Sequence, residues 1–246
     1  MNKIKKLAEI LSQSNRAVFF GGAGMSTESG TPDFRSANGI YNQRLHKNFR
    51  PEEMASHTFF MNYPEDFFEF YRTRIVYLDA KPNAGHIALA ELERRNILAA
   101  IVTQNIDGLH QAAGSKTVYE LHGSVRRGFC IKCGENYDIN YILENKPVPH
   151  CAKCGGIVRP DVVLYEESLN YNIVRASRRA IMEADTLIVG GTSLVVYPAA
   201  GLVDYFDGKH LILINKSETR ADIEAELIIR ENIGETLSKA VELIER

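Results

Sequence analysis

Apolar positions recur in two rhythms along this chain. Ile4, Leu7, Ala8 and Leu11 stand at helical spacing and predict an amphipathic helix, closed by a turn at Ser14-Asn15. An unbroken apolar run, Ala17-Val-Phe-Phe20, comes next. Similar runs return at Ala99 to Thr103, Thr117 to Leu121, Leu187 to Gly190, Leu211 to Asn215 and Leu227 to Ile229. Continuous rather than alternating hydrophobicity is what a strand buried on both faces requires. Helix-compatible stretches lie between and beyond these runs, at 85–96, 172–184, 198–206 and 234–245, the last with Leu237, Ala240, Val241 and Ile244 in phase. Strands alternating with helices predict an α/β fold built on a doubly wound, mostly parallel sheet.

Two segments break this rhythm. Residues 36–80 are aromatic and helix-compatible, with Phe59, Phe60, Tyr63, Phe67, Phe68, Phe70 and Tyr71. Residues 126–158 hold all four cysteines and, beyond Cys133, five prolines or glycines. They are expected to form a smaller lobe of 36–80 and 126–158, inserted into a large domain of 1–35, 81–125 and 159–246. The chain carries no internal repeat and no low-complexity tract.

Composition narrows the class. With 45% hydrophobic, 24% charged and 9% aromatic residues in 246, the chain has the make-up of a globular protein, which excludes collagen, coiled coil and disorder. Its 29 Lys+Arg against 31 Asp+Glu give a net charge of -2, unlike the basic balance of a nucleic-acid binder. Lys3, Lys5 and Lys6 precede Leu7-Ala-Glu-Ile-Leu-Ser-Gln, which is too polar for a secretory signal, so a cytoplasmic protein is expected. Thr186 to Val203 runs 18 residues without a charge, the length of a membrane span, yet Gly190-Gly-Thr-Ser193 and Pro198 divide it. It reads as buried core beside a binding loop, with no membrane partner.

Cys130-Ile-Lys-Cys133 and Cys151-Ala-Lys-Cys154 stand 17 residues apart, the two-knuckle spacing of a tetrahedral thiolate zinc site. Four thiolates close the coordination sphere, so the expected Zn²⁺ is structural. Two disulfides, a redox pair or a nucleic-acid-binding zinc ribbon are the competing uses. Against the ribbon, residues 126–159 hold six Lys/Arg to three Asp/Glu, a modest excess.

Other candidate chemistry gathers at strand ends, where sheets of this kind bind ligands. Gly21-Gly-Ala-Gly-Met-Ser-Thr-Glu-Ser-Gly30 follows the first strand and can bring backbone amides to a phosphate, although a tight turn uses the same glycines and Thr27 stands where a dinucleotide fingerprint wants a third glycine. Gly30-Thr-Pro-Asp-Phe-Arg35 packs a carboxylate, a ring and a guanidinium beside a rigid turn. Thr103-Gln-Asn-Ile-Asp107 ends the second run, where Asn105 or Asp107 could equally cap a helix. His122 ends the third and can act as a general base near neutral pH, or be structural. Gly190-Gly-Thr-Ser193 and Asn215 end two more.

Together these motifs resemble the sirtuin family of NAD-dependent protein deacylases. Gly22-Ala-Gly-Met-Ser26, Gly30 to Arg35, Thr103-Gln-Asn-Ile-Asp-Gly-Leu-His110, His122-Gly123, the four cysteines, Gly191-Thr-Ser193 and Asn215 follow the family's order, and they span nearly the whole chain. The resemblance implies a catalytic core without tails, acting as a monomer, with a Rossmann-like domain and a zinc-binding and helical lobe. It implies that Gly22, Ala23, Gly24, Ser26 and Thr27 hold the NAD phosphates and that Gly191, Thr192, Ser193, Asn215 and Ile233 hold the adenosine half. Gln104 would touch a ribose. Phe34, Asn105, Ile106 and Asp107 would receive nicotinamide, with Asp33 also on the cofactor and Arg35 ordering the loop above it, and Asn105, Asp107 and His122 would be the catalytic set. Val163, Tyr165 and Val196 would meet the acyl-lysine.

The implied chemistry consumes NAD. The acyl-lysine carbonyl oxygen attacks C1' of the nicotinamide ribose and expels nicotinamide. His122 then deprotonates a ribose hydroxyl that attacks the imidate, giving free lysine and O-acyl-ADP-ribose. ADP-ribosyl transfer or NAD hydrolysis is the alternative within the same cleft, and a non-enzymatic NAD-sensing or zinc-ribbon module the alternative outside enzymes. Three positions depart from the family pattern: Gly21, Thr31, and Tyr165-Glu166-Glu167 where Phe-Gly-Glu is usual. Glu166 beside the peptide-binding strand leads us to expect a preference for basic residues flanking the target lysine. Tyr71 and Arg74, three apart and so on one α-helical face, resemble the pair of sirtuins that remove succinyl or malonyl groups, which implies desuccinylase activity beside deacetylase activity. The bland alternative is a packed ring and a solvated guanidinium.

Overall fold

A computed structural model of the chain describes residues 2–33, 39–40 and 49–244, so Phe34 and Arg35 lie outside the described residues. In chain order the strands are β1 (Ala17–Gly21), β2 (Leu98–Thr103), β3 (Val118–Glu120), β4 (Gly123–Cys130), β5 (Asn136–Asp138), β6 (Val158–Val162), β7 (Thr186–Gly190), β8 (His210–Ile214) and β9 (Leu227–Ile229). The α-helices are α1 (Lys3–Gln13), α2 (Pro51–Met54), α3 (His57–Asn62), α4 (Pro64–Phe70), α5 (Ala84–Arg94), α6 (Leu109–Ala112), α7 (Ile139–Glu144), α8 (Tyr171–Met182) and α9 (Ile233–Leu243).

Six strands form one sheet in the order β3-β2-β1-β7-β8-β9, and every neighbouring pair is parallel. Successive side chains leave a strand on opposite faces. Phe19, Ile101, Ile188 and Ile212 therefore pack beneath α1, α5 and α9. Val18, Phe20, Val102, Leu187, Val189 and Leu213 pack on the other side, against α8 and the 3₁₀ turns Ala199–Tyr205. Both faces being covered explains the unbroken apolar runs. The predicted helix at 198–206 is thus 3₁₀ rather than α. The uncharged stretch from Thr186 is split into β7, a loop and those turns, and no helix among the described residues is long and apolar enough to cross a membrane.

A second sheet, β5-β4-β6, is antiparallel. Its ladder pairs Gly123 with Val162 and Cys130 with Val158, so β4 and β6 both run across the sequence-drawn boundaries at 125 and 158. Phe60, Phe67, Phe68 and Tyr71 join Val125, Ile139, Ile142 and Val158 in a third core, which brings the aromatic and cysteine-bearing segments together. Arg72 bridges them: over the Phe68 ring at 5.3 Å, its guanidinium donates to the carbonyls of Ile142, Asn145 and Pro147, at 2.9, 3.0 and 2.8 Å. These carbonyls lie at and beyond the end of α7, where helical partners run out.

Candidate active site

The strand order reverses direction between β1 and β7, and the carboxyl ends of the strands open there into a cleft of about 870 Å³. Gly21 and Gly190 are paired across the two strands, so the loops that follow them leave side by side. Close approach explains their composition. Gly24 N–H donates to the Gly191 carbonyl at 2.8 Å, and a Cβ on Gly24 would stand 2.8 Å from the Gly191 Cα. Gly191 itself has φ +59°, a conformation other residues rarely adopt.

Every sequence-predicted site residue among those described lines this cleft except Arg74 and the four cysteines. The glycine loop contributes Gly22, Ala23, Gly24, Ser26, Thr27 and Asp33; the loop after β2 gives Gln104, Asn105, Ile106 and Asp107. From beyond β7 come Gly191, Thr192, Ser193 and Val196, and Asn215 and Ile233 close the far end. His122, Val163, Tyr165 and Tyr71 line the other.

Hydrogen bonds join these loops into one framework. Asn105 Nδ2 donates to Ser26 Oγ at 3.0 Å, and the Ser26 hydroxyl donates to Asp107 Oδ2 at 2.6 Å. Asp107 Oδ1 accepts from the Leu109 N–H at 2.9 Å, which fixes the carboxylate at the start of α6. Farther along, Gln104 Nε2 donates to Thr192 Oγ1 at 3.0 Å, and Thr192 N–H donates to Asn215 Oδ1 at 3.1 Å. The ends of β2, β7 and β8 are thereby held in register with each other.

His122 Nδ1 lies 3.0 Å from the Gln104 carbonyl oxygen. A carbonyl only accepts, so Nδ1 carries the proton and Nε2 is the basic nitrogen. Burial lowers the imidazole's pKa, against a smaller upward pull from the Gln104 bond. The ring is neutral at pH 7 and able to take a proton. Its own carbonyl accepts the Val163 N–H at 3.0 Å, tying the base to the segment that follows β6. Among the described residues nothing donates to the Val163 carbonyl.

Tyr71 and Arg74 part company. Residues Tyr71–Ile75 wind as a π-helix, whose wider turn removes the shared α-helical face expected from their spacing. Tyr71 is buried in the cleft wall with its hydroxyl donating to the Val125 carbonyl at 3.3 Å, whereas Arg74 is not part of the lining.

The four cysteines lie outside the cleft, at the end of β4 and in the loop before β6. Their sulfurs all stand within 4.8 Å of one another, with Cys130–Cys154 at 3.5 Å and Cys133–Cys151 at 3.6 Å. Four thiolates about 2.3 Å from a tetrahedral ion would stand roughly 3.8 Å apart, so the set fits Zn²⁺, while disulfide sulfurs would be about 2.05 Å apart. The knuckles are hydrogen-bonded turns in which Gly134 and Gly155, at φ +75° and +71°, donate to the Cys130 and Cys151 carbonyls, both at 2.9 Å.

Sequence reasoning missed several supports of the site. Thr103 Oγ1 accepts the Asn105 N–H at 3.0 Å, and Asn83 Nδ2 donates to the Met25 carbonyl at 2.8 Å, bracing the glycine loop from α5. Glu28 accepts the Gly234 N–H of α9 at 2.8 Å. Asn83 precedes a helical pattern and is legible as a cap; its second contact with the loop is not.

A Sir2 family model matches residues 22–198, a span that includes the glycine loop, the Gln104–Asp107 loop, His122 and all four cysteines. The chain belongs to the Sir2 family. It is 61% identical to an NAD-dependent protein deacetylase of Clostridium perfringens over 98% of this chain and 99% of that protein. A second relative of that description, from Clostridium acetobutylicum, is 58% identical over 98% of this chain and 99% of its own. Among solved structures, a Sir2 complex with a deacetylated p53 peptide and 3'-O-acetyl-ADP-ribose is 37% identical at a TM-score of 0.88, covering 97% of each chain. A Sir2–p53 peptide–NAD⁺ complex is 38% identical at a TM-score of 0.86, again covering 97% of each.

Proposed function

We propose that this chain is an NAD-dependent protein lysine deacetylase, releasing nicotinamide, free lysine and O-acetyl-ADP-ribose. The observation that carries the reading is the joint placement, in one cleft, of the glycine loop, the Asn105–Ser26–Asp107 chain and a neutral His122 whose Nε2 is the basic nitrogen. A module that only binds has no use for a buried base fixed in one tautomer. When bound, NAD would supply the ribose whose hydroxyl oxygen receives the acyl group, with one water consumed as the lysine is freed.

Each wall then has its task. Gly22, Ala23, Gly24, Ser26 and Thr27 lie against the phosphates, and Gly191, Thr192, Ser193, Asn215 and Ile233 against the adenosine half. Gln104, steadied by Thr192, meets a ribose, and Asp33, Asn105, Ile106 and Asp107 surround the nicotinamide. His122 takes the proton of a ribose hydroxyl, a role for which its lowered pKa keeps it unprotonated at neutral pH. The Val163 carbonyl accepts the acyl-lysine N–H, and Tyr165, Val196 and the buried Tyr71 enclose the acyl end. Zn²⁺ on Cys130, Cys133, Cys151 and Cys154 holds the small lobe; with four thiolates it has no open position for water.

In this reading the macromolecular partner is an acetylated protein chain, and a monomer suffices because one chain supplies every residue of the site. Neither nucleic acid nor a membrane takes part. A cytoplasmic setting suits four reduced thiols.

The test is incubation with NAD and an acetyl-lysine peptide, following nicotinamide and the deacetylated peptide together. Equimolar formation, dependent on both reactants, is expected. Nicotinamide release that does not require the peptide would replace the reading with NAD hydrolysis.

A further inference from the structure

Glu166 stands on the lining of the cleft with φ +77°, a backbone conformation in which a side chain other than glycine's is strained. What offsets the strain is visible at its carboxylate. Glu166 Oε2 accepts both the backbone N–H of Thr58, at 2.9 Å, and the Thr58 hydroxyl, at 2.7 Å. Thr58 belongs to α3 in the aromatic segment, 108 residues away in sequence. A glycine at 166 would take the turn freely and make neither bond.

The contact completes a fastening at one end of the substrate wall. Tyr165 N–H donates to the Ala55 carbonyl and His57 N–H to the Tyr165 carbonyl, both at 3.0 Å. Glu167 accepts from the Leu164 N–H at 2.9 Å and pairs with His57 Nδ1 at 2.9 Å and with the buried Arg159, which sits over the Phe60 ring. At the other end the Val163 N–H holds the His122 carbonyl at 3.0 Å. The segment from Val163 to Glu167 is therefore strung between the base and α3, and its Val163 carbonyl is the group left to meet substrate.

We propose that Glu166 is a positioning residue for the acylated peptide: through Thr58 it fixes the α3 end of the Val163–Tyr165 wall, and so sets the angle at which the Val163 carbonyl is presented. This rests on the deacetylase reading. The expectation that Glu166 favours basic residues flanking the target lysine is separate, because Thr58 supplies two neutral donors and leaves the exposed carboxylate charged.

The test compares Glu166→Gly and Glu166→Gln with the wild type in steady-state deacetylation of an acetyl-lysine peptide, varying peptide and NAD separately, with Tm measured alongside. Glu166→Gly is expected to raise the peptide KM roughly 3- to 10-fold, the effect of losing an ordinary hydrogen bond, since the carboxylate is exposed to water. Its NAD KM should stay within about twofold and its Tm at or above the wild-type value, since glycine relieves the strain. Glu166→Gln, which keeps an oxygen for Thr58, restores most of the peptide KM. A peptide KM unchanged in Glu166→Gly, or a drop in Tm with equal rises in both KM values, overturns the positioning role while leaving the deacetylase reading intact. No turnover by the wild type overturns both.

Discussion

His122 concentrates the chemistry in one ring, and its partners decide what that ring can do. The Gln104 carbonyl fixes the tautomer and burial holds the pKa below its ordinary value. His122→Ala is expected to lower kcat by roughly 10²- to 10⁴-fold, the usual cost of losing a general base. NAD binding and Tm should be retained, because the ring's one described bond is to a carbonyl at a strand end. Activity within a few-fold of wild type would remove the base role. The same lowered pKa gives kcat/KM an acid limb: the neutral ring is the active form, so activity falls as pH drops, with its inflection below the 6.5 of an ordinary histidine. An inflection above that value would contradict a base governed by burial.

At the scale of elements, the four cysteines join two knuckles beside the antiparallel sheet, with Cys130 and Cys151 buried in the core shared with the aromatic segment, so a bound metal contributes to the stability of that sheet. One Zn²⁺ per chain is expected by metal analysis. Chelation or Cys130→Ala should release it and open β4–β6 to hydrogen exchange before the parallel sheet is affected, because none of the four cysteines touches that sheet's two cores. An unchanged exchange pattern after metal removal would make the ion incidental. The substrate wall is continuous with β6, so peptide turnover should fall with the metal.

For the whole molecule, acid is the weakness. His86 and His110 are fully buried with ring centroids 4.7 Å apart, and both nitrogens of His110 lack a partner among the described residues. Burial pushes their pKa values down to about 4 and about 3, below the 6.5 of an exposed ring. The unfolded chain thus binds more protons below pH 6.5, and each ring costs about 1.4 kcal/mol of stability per pH unit between its unfolded and folded values. Stability should be full above pH 6.5, fall toward pH 4 with both rings and continue to fall toward pH 3 with His110. Calorimetry from pH 7.5 to 4.5 checks this: His110→Leu is expected to show a shallower loss of Tm than wild type, and equal slopes would place the acid sensitivity elsewhere.

By itself the sequence determined the large sheet, since strands buried on both faces must be apolar throughout and Phe19 and Phe20 alike had to find a core. It determined the zinc ligands, because Cys-x-x-Cys spacing is a local property of a tight turn. It also marked most of the cleft, because Gly22, Gln104, His122, Gly191 and Asn215 each follow the end of a strand and parallel strands end on one side. Tertiary structure alone decided what depends on contacts between distant segments. The antiparallel sheet was hidden, as β4 sets two adjacent exposed residues, Arg126 and Arg127, between buried Val125 and Gly128 and lacks the apolar run that marks the strands of the large sheet. The face shared by Tyr71 and Arg74 was lost to a π-turn that spacing does not encode. The partner of Glu166 was equally out of reach, for a carboxylate in a left-handed turn has no sequence signal naming a threonine 108 residues away.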